Sequence, residues 1–325
     1  MNTADWRICV APMMDYTDRH CRYLLRLLSP SARLYTEMIT AQALVHGDAA
    51  RLLAYDASEH PVALQLGGSD PALLARAARL GALAGYDEIN LNVGCPSDRV
   101  QNGNFGACLM AEPERVADSV RAMREAVSVP VTVKCRIGID ELDDYAFLEH
   151  FVATVEQGGC SVFIVHARKA ILQGLSPKEN REIPPLRYEI PALLKRERPH
   201  LCVVLNGGLT SVAEVRRWLP QFDGAMLGRA IYDHPYLLAE LHSALVDPGA
   251  PRPSRHEVVA RYADYVAARL AEGHRLPQML RHVQGLYMGI AGARSWRRFL
   301  GEQARRPDAD ERVLHESLPL VERAA

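Results

Sequence analysis

Short apolar runs recur along the chain, and longer stretches between them return an apolar residue every three or four positions. The runs are Ile8–Ala11, Arg33–Thr36, Val62–Leu66, Glu88–Val93, Val131–Cys135, Val162–Val165, Cys202–Leu205 and Gly224–Leu227. They predict eight buried strands. Helical spacing marks Pro71–Leu83, Pro113–Val127, Asp143–Glu156, Leu186–Lys195 and Val212–Leu219. Asp70 followed by Pro71 reads as a helix cap and then a first helical residue with no N–H to satisfy. Such alternation means parallel strands with crossover helices. Eight units in roughly 240 residues predict a closed (β/α)8 TIM barrel. An open doubly wound sheet is the rival, but neither G-x-G-x-x-G nor a Walker A loop occurs in the chain.

The alternation stops at Asp247-Pro-Gly-Ala-Pro-Arg-Pro253, which reads as a linker. Ser254 and Glu257 then form a capping-box pattern. Val258, Tyr262, Val266 and Leu270 follow at helical spacing, ending near Gly273. Leu276, Leu280, Val283, Tyr287 and Ile290 predict a second helix ending near Gly292. Ser295–Leu300 and Glu311–Val321 suggest two more. The expected organisation is a catalytic barrel over 1–246, a linker over 247–253 and a helical bundle over 254–325.

A net charge of −1 over 325 residues names no partner, so any nucleic-acid surface must come from local patches. Only four of the basic residues are Lys. The seven cysteines are odd in number and form no Cys-x-x-Cys pair, which argues against a disulfide framework or a zinc site and for a reducing cytoplasm. The start, Met1–Trp6, lacks a signal pattern, and no apolar run approaches the roughly 18 residues of a membrane helix. A monomer needing no protein partner is expected.

Candidate chemistry collects at the C-terminal ends of the strands, where such barrels place their sites. Strand four runs into Gly94-Cys95-Pro96, a tight turn that holds a thiol, with Asn90 and Asn92 before it and a glycine-rich loop, Asn102–Ala107, after it. Strand one ends Pro12-Met13-Met14, a turn able to lie against a flat ring. Strand three presents Gln65, an amide with both a donor and an acceptor. On strand five, Val131, Val133 and Cys135 share one face, and Thr132 and Lys134 the other. A lysine pointing into a barrel needs a partner: an anionic ring nitrogen, a phosphate, or a carbonyl substrate in a Schiff base. Strand six ends at His166. Strands seven and eight end Asn206-Gly207-Gly208 and Gly228-Arg229, the usual phosphate position of this fold. No paired carboxylates, Ser-His-Asp set or metal cluster gathers there. One thiol, one lysine, one histidine, amides and a phosphate cradle suit a bound cofactor. With no dinucleotide fingerprint, a mononucleotide such as FMN fits best.

Together these residues resemble the tRNA-dihydrouridine synthase family. The resemblance runs from Ala11 to about Leu300 and rests on Ala-Pro-Met-Met-Asp at 11–15, Asn-Leu-Asn-Val-Gly-Cys-Pro-Ser at 90–97, Val-Lys-Cys-Arg at 133–136, His-Ala-Arg-Lys at 166–169, Asn-Gly-Gly at 206–208 and Gly-Arg at 228–229. The stretch from His166 to Pro185 is similar to the A-type bacterial branch, associated with uridines 20 and 20a of the tRNA D-loop. The resemblance implies a flavin-dependent oxidoreductase that reduces uridine to 5,6-dihydrouridine. FMN would be held by Pro12, Met13, Met14, Gln65, Lys134, His166, Asn206, Gly207, Gly208, Gly228 and Arg229, and re-reduced by NADPH. Hydride from reduced FMN would reach uracil C6, and Cys95 would protonate C5. A free thiol titrates near 8.5, so the acid form dominates at neutral pH and can donate a proton.

A stacked uracil must leave the helix to reach such a site, and Asn92 would then bond its edge. Gly273–Arg306 carries seven arginines and one acid, with Arg294, Arg297 and Arg298 around Trp296 and Phe299, a pattern that suits RNA. The loop Lys169–Arg187, with Lys178 and Arg181, is a second basic patch. Gly138–Glu156 holds six acids and no Lys or Arg, so that flank is expected to face away from RNA. Competing readings are a flavin barrel acting on a free pyrimidine, a Schiff-base aldolase or lyase, and a non-catalytic RNA-binding module.

Overall fold

The computed structural model describes residues 3–321. Eight parallel strands form a ring: β1 (Ile8–Val10), β2 (Arg33–Tyr35), β3 (Val62–Gly67), β4 (Glu88–Val93), β5 (Val131–Arg136), β6 (Val162–His166), β7 (Cys202–Asn206) and β8 (Gly224–Leu227). β1 pairs with β2 and β8, and β2 pairs with β3, which closes the barrel. Every strand lies within one residue of the boundaries that the apolar pattern predicts. A further two-residue strand, Ile39–Thr40, pairs with the end of β3; it is too short to show a period in sequence.

Alternation decides what each strand presents. Val131, Val133 and Cys135 of β5 pack outward into the main core, with the surrounding helices, while Thr132 turns inward. The barrel interior is divided. Cys9, Ala63, Val162, Ile164, Val204 and Met226 make one side apolar. Gln65, Glu88, Asn90, Asn92 and Thr132, all buried, make β3–β5 polar. At the barrel floor the Glu88 carboxylate accepts from Trp6 Nε1 (2.8 Å), Tyr35 Oη (2.8 Å) and Thr132 Oγ1 (2.5 Å), and pairs with Arg33 at 3.3 Å. A buried carboxylate is tolerated there because its lone pairs are taken.

Asp70 caps the helix Pro71–Leu83 by accepting from Leu73 N–H at 2.7 Å, as its sequence predicts. The Ser254–Glu257 capping box is formed and starts the helix Arg255–Ala271. Asp247–Pro253 contains no helix or strand. The second expected tail helix is cut short: only Leu276–Leu280 is α-helical, and the chain continues in turns to Gly292. Glycines explain this. A Cβ on Gly285 would lie 2.2 Å from the Asp233 carbonyl oxygen, so the backbone there is pressed against the barrel, and Gly289 and Gly292 take φ of 81° and 85°. Leu276, Leu280, Val283 and Tyr287 are nevertheless buried, as their spacing implies. Helices Ala293–Gln303 and Arg312–Ser317 complete the tail.

The tail docks on the helix Arg19–Leu28 that follows β1. Tyr23 stacks on Tyr265 with ring centroids 3.9 Å apart, and His20 Nδ1 lies 2.8 Å from Tyr265 Oη. Asp18 pairs with Arg281 at 2.8 Å and His282 at 3.0 Å. One apolar core runs through both parts.

Candidate active site

A ladder of side-chain amides climbs from the floor to the thiol. Thr132 Oγ1 accepts from Asn90 Nδ2 (2.7 Å), Asn90 Oδ1 from Gln65 Nε2 (2.7 Å), and Gln65 Oε1 from Asn92 Nδ2 (2.8 Å). Asn92 Oδ1 then accepts from the backbone N–H of Gly94 (3.1 Å) and Cys95 (3.0 Å). Of the amides expected to meet a heterocycle, Asn92 therefore spends its oxygen holding the turn and Gln65 spends its oxygen holding Asn92, and each keeps one N–H without an acceptor among the described residues. Cys95 is half-buried, with Sγ 3.4 Å from Ser97 Oγ. The glycine-rich loop folds back on it: Ala107 N–H donates to the Cys95 carbonyl at 2.9 Å. Gly106, at φ 79°, allows this, because a Cβ there would sit 2.6 Å from that carbonyl oxygen.

Strand register carries the site around the rim. Asn92 lies beside Lys134, Arg136 beside His166, and His166 beside Asn206. Among the described residues the Lys134 ammonium has no acceptor. Burial, reinforced by neighbouring Arg136, pushes it down to about 8. Burial and the charges of Arg136 and Lys134 drive His166 well below its usual range, so its imidazole is neutral at neutral pH.

Gly207 and Gly208 have φ of 113° and 67°. A Cβ on Gly207 would lie 2.6 Å from His166 Cδ2, and one on Gly208 2.3 Å from Leu186 Cδ1. Their N–H groups have no acceptor among the described residues. With Gly228 and Arg229 they line a cavity of about 240 Å³. Asn206 Nδ2 donates to the Met226 carbonyl at 2.8 Å, which ties β7 to β8 below it. The Arg229 guanidinium is not free, as an isolated phosphate ligand would be; it pairs with Glu182 at 2.7 Å. Met13 is anchored by Thr17 and borders Gly228, so the Pro12–Met14 turn closes the ring between β1 and β8. Met14 is exposed.

The cations expected to meet RNA separate into two places. Lys178 is exposed. Arg181 stands at the site itself, close enough for its charge to act on Cys95 and His166, and its buried Nε has no acceptor among the described residues. Arg294, Arg297 and Arg298 are exposed on the helix Ala293–Gln303 and have no ion pair among the described residues. The expected interleaving with aromatics holds only in part: Phe299 is half-buried against the core. Trp296 is fully buried and donates to Ser317 Oγ at 2.7 Å, because its position falls on the inward face of the helix. The acidic flank does not simply face away: the Asp143 carboxylate pairs with Lys169 and Arg187, the Asp140 carbonyl accepts from Lys169, and the Asp140 carboxylate accepts from Leu172 N–H, so they brace the basic loop. Arg136 and Gln101 escape sequence reading, because their partners are backbone carbonyls and leave no residue pattern. Among the described residues no group of His, Cys, Asp and Glu is placed to hold a metal ion, and no helix is long and apolar enough to cross a membrane.

The family model described as dihydrouridine synthase (Dus) matches residues 9–320. The chain is 54% identical over 316 residues to a protein of Yersinia pestis, covering 97% of this chain and 91% of that one. It is 56% identical over 316 residues to a Pseudomonas putida protein, with coverage of 97% and 94%. It is 57% identical over 303 residues to one of Xanthomonas campestris pv. campestris, with coverage of 93% and 90%. Each of these relatives bears the name tRNA-dihydrouridine(20/20a) synthase. A match over nearly the whole chain, on a closed barrel with a thiol turn at its rim, places this protein in the dihydrouridine synthase family.

Proposed function

We propose that the chain reduces uridine to 5,6-dihydrouridine at positions 20 and 20a of the tRNA D-loop, with bound FMN as cofactor and NADPH as reductant. One observation carries the reading: a thiol, an ammonium without a partner and a glycine cradle share one barrel mouth. The residues suit FMN. The free N–H groups of Gly207 and Gly208 and the cavity beside Gly228 match a phosphate. Lys134 needs an electron-rich neighbour, and the remaining N–H of Gln65, with the Pro12–Met14 turn, suits a ring edge and face. Arg229 would exchange Glu182 for the phosphate or hold it through that pair. When bound, FMN supplies the hydride.

The chain's own residues do the rest. Lys134 would place its positive charge beside the bound ring and stabilise negative charge there. His166 and Asn206 donate hydrogen bonds at the rim as neutral groups. Cys95, fixed by Asn92, gives its proton to uracil C5. The last N–H of Asn92 bonds the flipped base. Lys178, Arg181, Arg294 and Arg297 meet the phosphates. Residues 1–246 then carry the chemistry and 254–325 the docking surface, in a monomer of the cytoplasm.

Cys95→Ala is the direct test. The variant should stay yellow and be reduced by NADPH at the normal rate, while its anaerobic re-oxidation by tRNA slows by about 10²-fold or more. Normal re-oxidation would remove Cys95 as the acid.

A further inference from the structure

Arg136 lies on β5 two positions beyond Lys134, on the same inward face, and is 3% exposed. It has no carboxylate partner among the described residues. Its Nε donates to the Gly94 carbonyl at 2.9 Å, and its Nη1 to the carbonyls of Lys169 (2.9 Å) and Asn180 (3.0 Å). Gln101 repeats the arrangement from the other side: its Nε2 donates to the carbonyls of Pro96 (2.8 Å) and Leu172 (2.6 Å). The residues before and after Cys95 are thus each tied, through one side chain, to the loop 169–181. That loop is braced internally by buried Asn180, which accepts from Ile171 N–H (2.7 Å) and donates to the Ile171 carbonyl (2.9 Å).

Burying a guanidinium against neutral carbonyls costs desolvation that no paired anion returns, so packing alone does not favour an arginine here. Its planar fork holds acceptors on separate segments in one fixed geometry, whereas a lysine is a single point charge on a flexible stem. Burial, partly offset by the nearby Cys95, lowers Arg136 to about 10, and it remains cationic at neutral pH.

We propose that Arg136 and Gln101 are positioning residues that fasten the Cys95 turn to the loop carrying Arg181, so that the proton donor and the cation beside it hold one fixed geometry. The proposal rests on Cys95 being the proton donor. It assigns neither side chain a contact with substrate.

The test uses the full-length, flavin-loaded protein with Arg136→Met, Gln101→Leu, and each combined with Cys95→Ala. Amide hydrogen exchange in segments 94–105 and 169–181 should rise together by about tenfold in either single variant, while β5 stays protected. Reduction by NADPH should be unchanged. Re-oxidation at saturating tRNA should slow by about tenfold or more, with half-saturation shifted by less than about threefold. On the Cys95→Ala background neither change should add a further loss, since both act through that thiol. Unchanged exchange in both segments, or full re-oxidation rates, would overturn the proposal. So would losses that add fully to that of Cys95→Ala. If Arg136→Met does not fold, Gln101→Leu decides alone. Should Cys95→Ala itself react normally with tRNA, the proton-donor reading fails, while the exchange data still decide whether the two segments are fastened.

Discussion

Lys134 is a cation held inside a barrel with no anion of its own among the described residues. Its pKa of about 8 leaves it protonated at neutral pH. An anionic group beside it would raise that value, so affinity for such a group is full below pH 8 and weakens as pH rises through it. Lys134→Met should therefore keep flavin but lower its midpoint potential by about 30 mV or more, a tenfold loss of preference for the reduced form. An unchanged potential would mean that the ammonium does not face the ring. That Lys134, Cys95 and the Gly207–Gly208 pair gather at one barrel mouth was legible in sequence, because each is a residue type with one distinctive property on a predicted strand or at its end. The local settings of Asn92, Arg229 and Trp296 were not. Hydrogen-bond partners decide them: Asn92 holds the thiol turn, Arg229 pairs with Glu182, and Trp296 faces Ser317.

At the scale of elements, the joint between the Arg19–Leu28 helix and the tail should weaken in acid. Burial holds His20 down at about 4, against Asp18, which favours its protonation, while nearby His274 and His282 oppose it. An unfolded histidine titrates near 6.5. The unfolded chain then binds a proton that the native joint refuses, so this contribution is complete above pH 6.5 and is lost as pH falls towards 4. Melting midpoints measured between pH 4 and 7 should fall more steeply for the wild type than for His20→Gln; parallel curves would show that His20 is not strained. Strands and capped helices were readable because burial imposes a period on them. The chain beyond Leu280 was not, because Gly285 is set by its approach to Asp233, a neighbour far away in sequence.

Over the whole molecule, the candidate chemistry sits at one mouth of the barrel, and Arg294, Arg297 and Arg298, without an ion pair among the described residues, lie on the helix Ala293–Gln303. Arg294→Ala with Arg297→Ala should weaken tRNA binding and flatten the slope of log affinity against log salt by roughly 0.8 for each phosphate that the variant no longer neutralises. NADPH oxidation should be untouched, and an unchanged slope would remove these arginines from the RNA surface. The barrel was legible because its alternation of strand and helix is complete. The setting of the tail arginines was only half so, since charge shows in sequence and the face of a helix that carries it depends on what the helix packs against.

The central claim is that flavin chemistry is coupled to tRNA, and visible absorption follows it directly. The purified protein should be yellow, bleach anaerobically with NADPH, and regain its colour on addition of unmodified tRNA but not of free uridine. A yellow protein that bleaches and stays bleached with tRNA, or that recovers with the free pyrimidine alone, would contradict it.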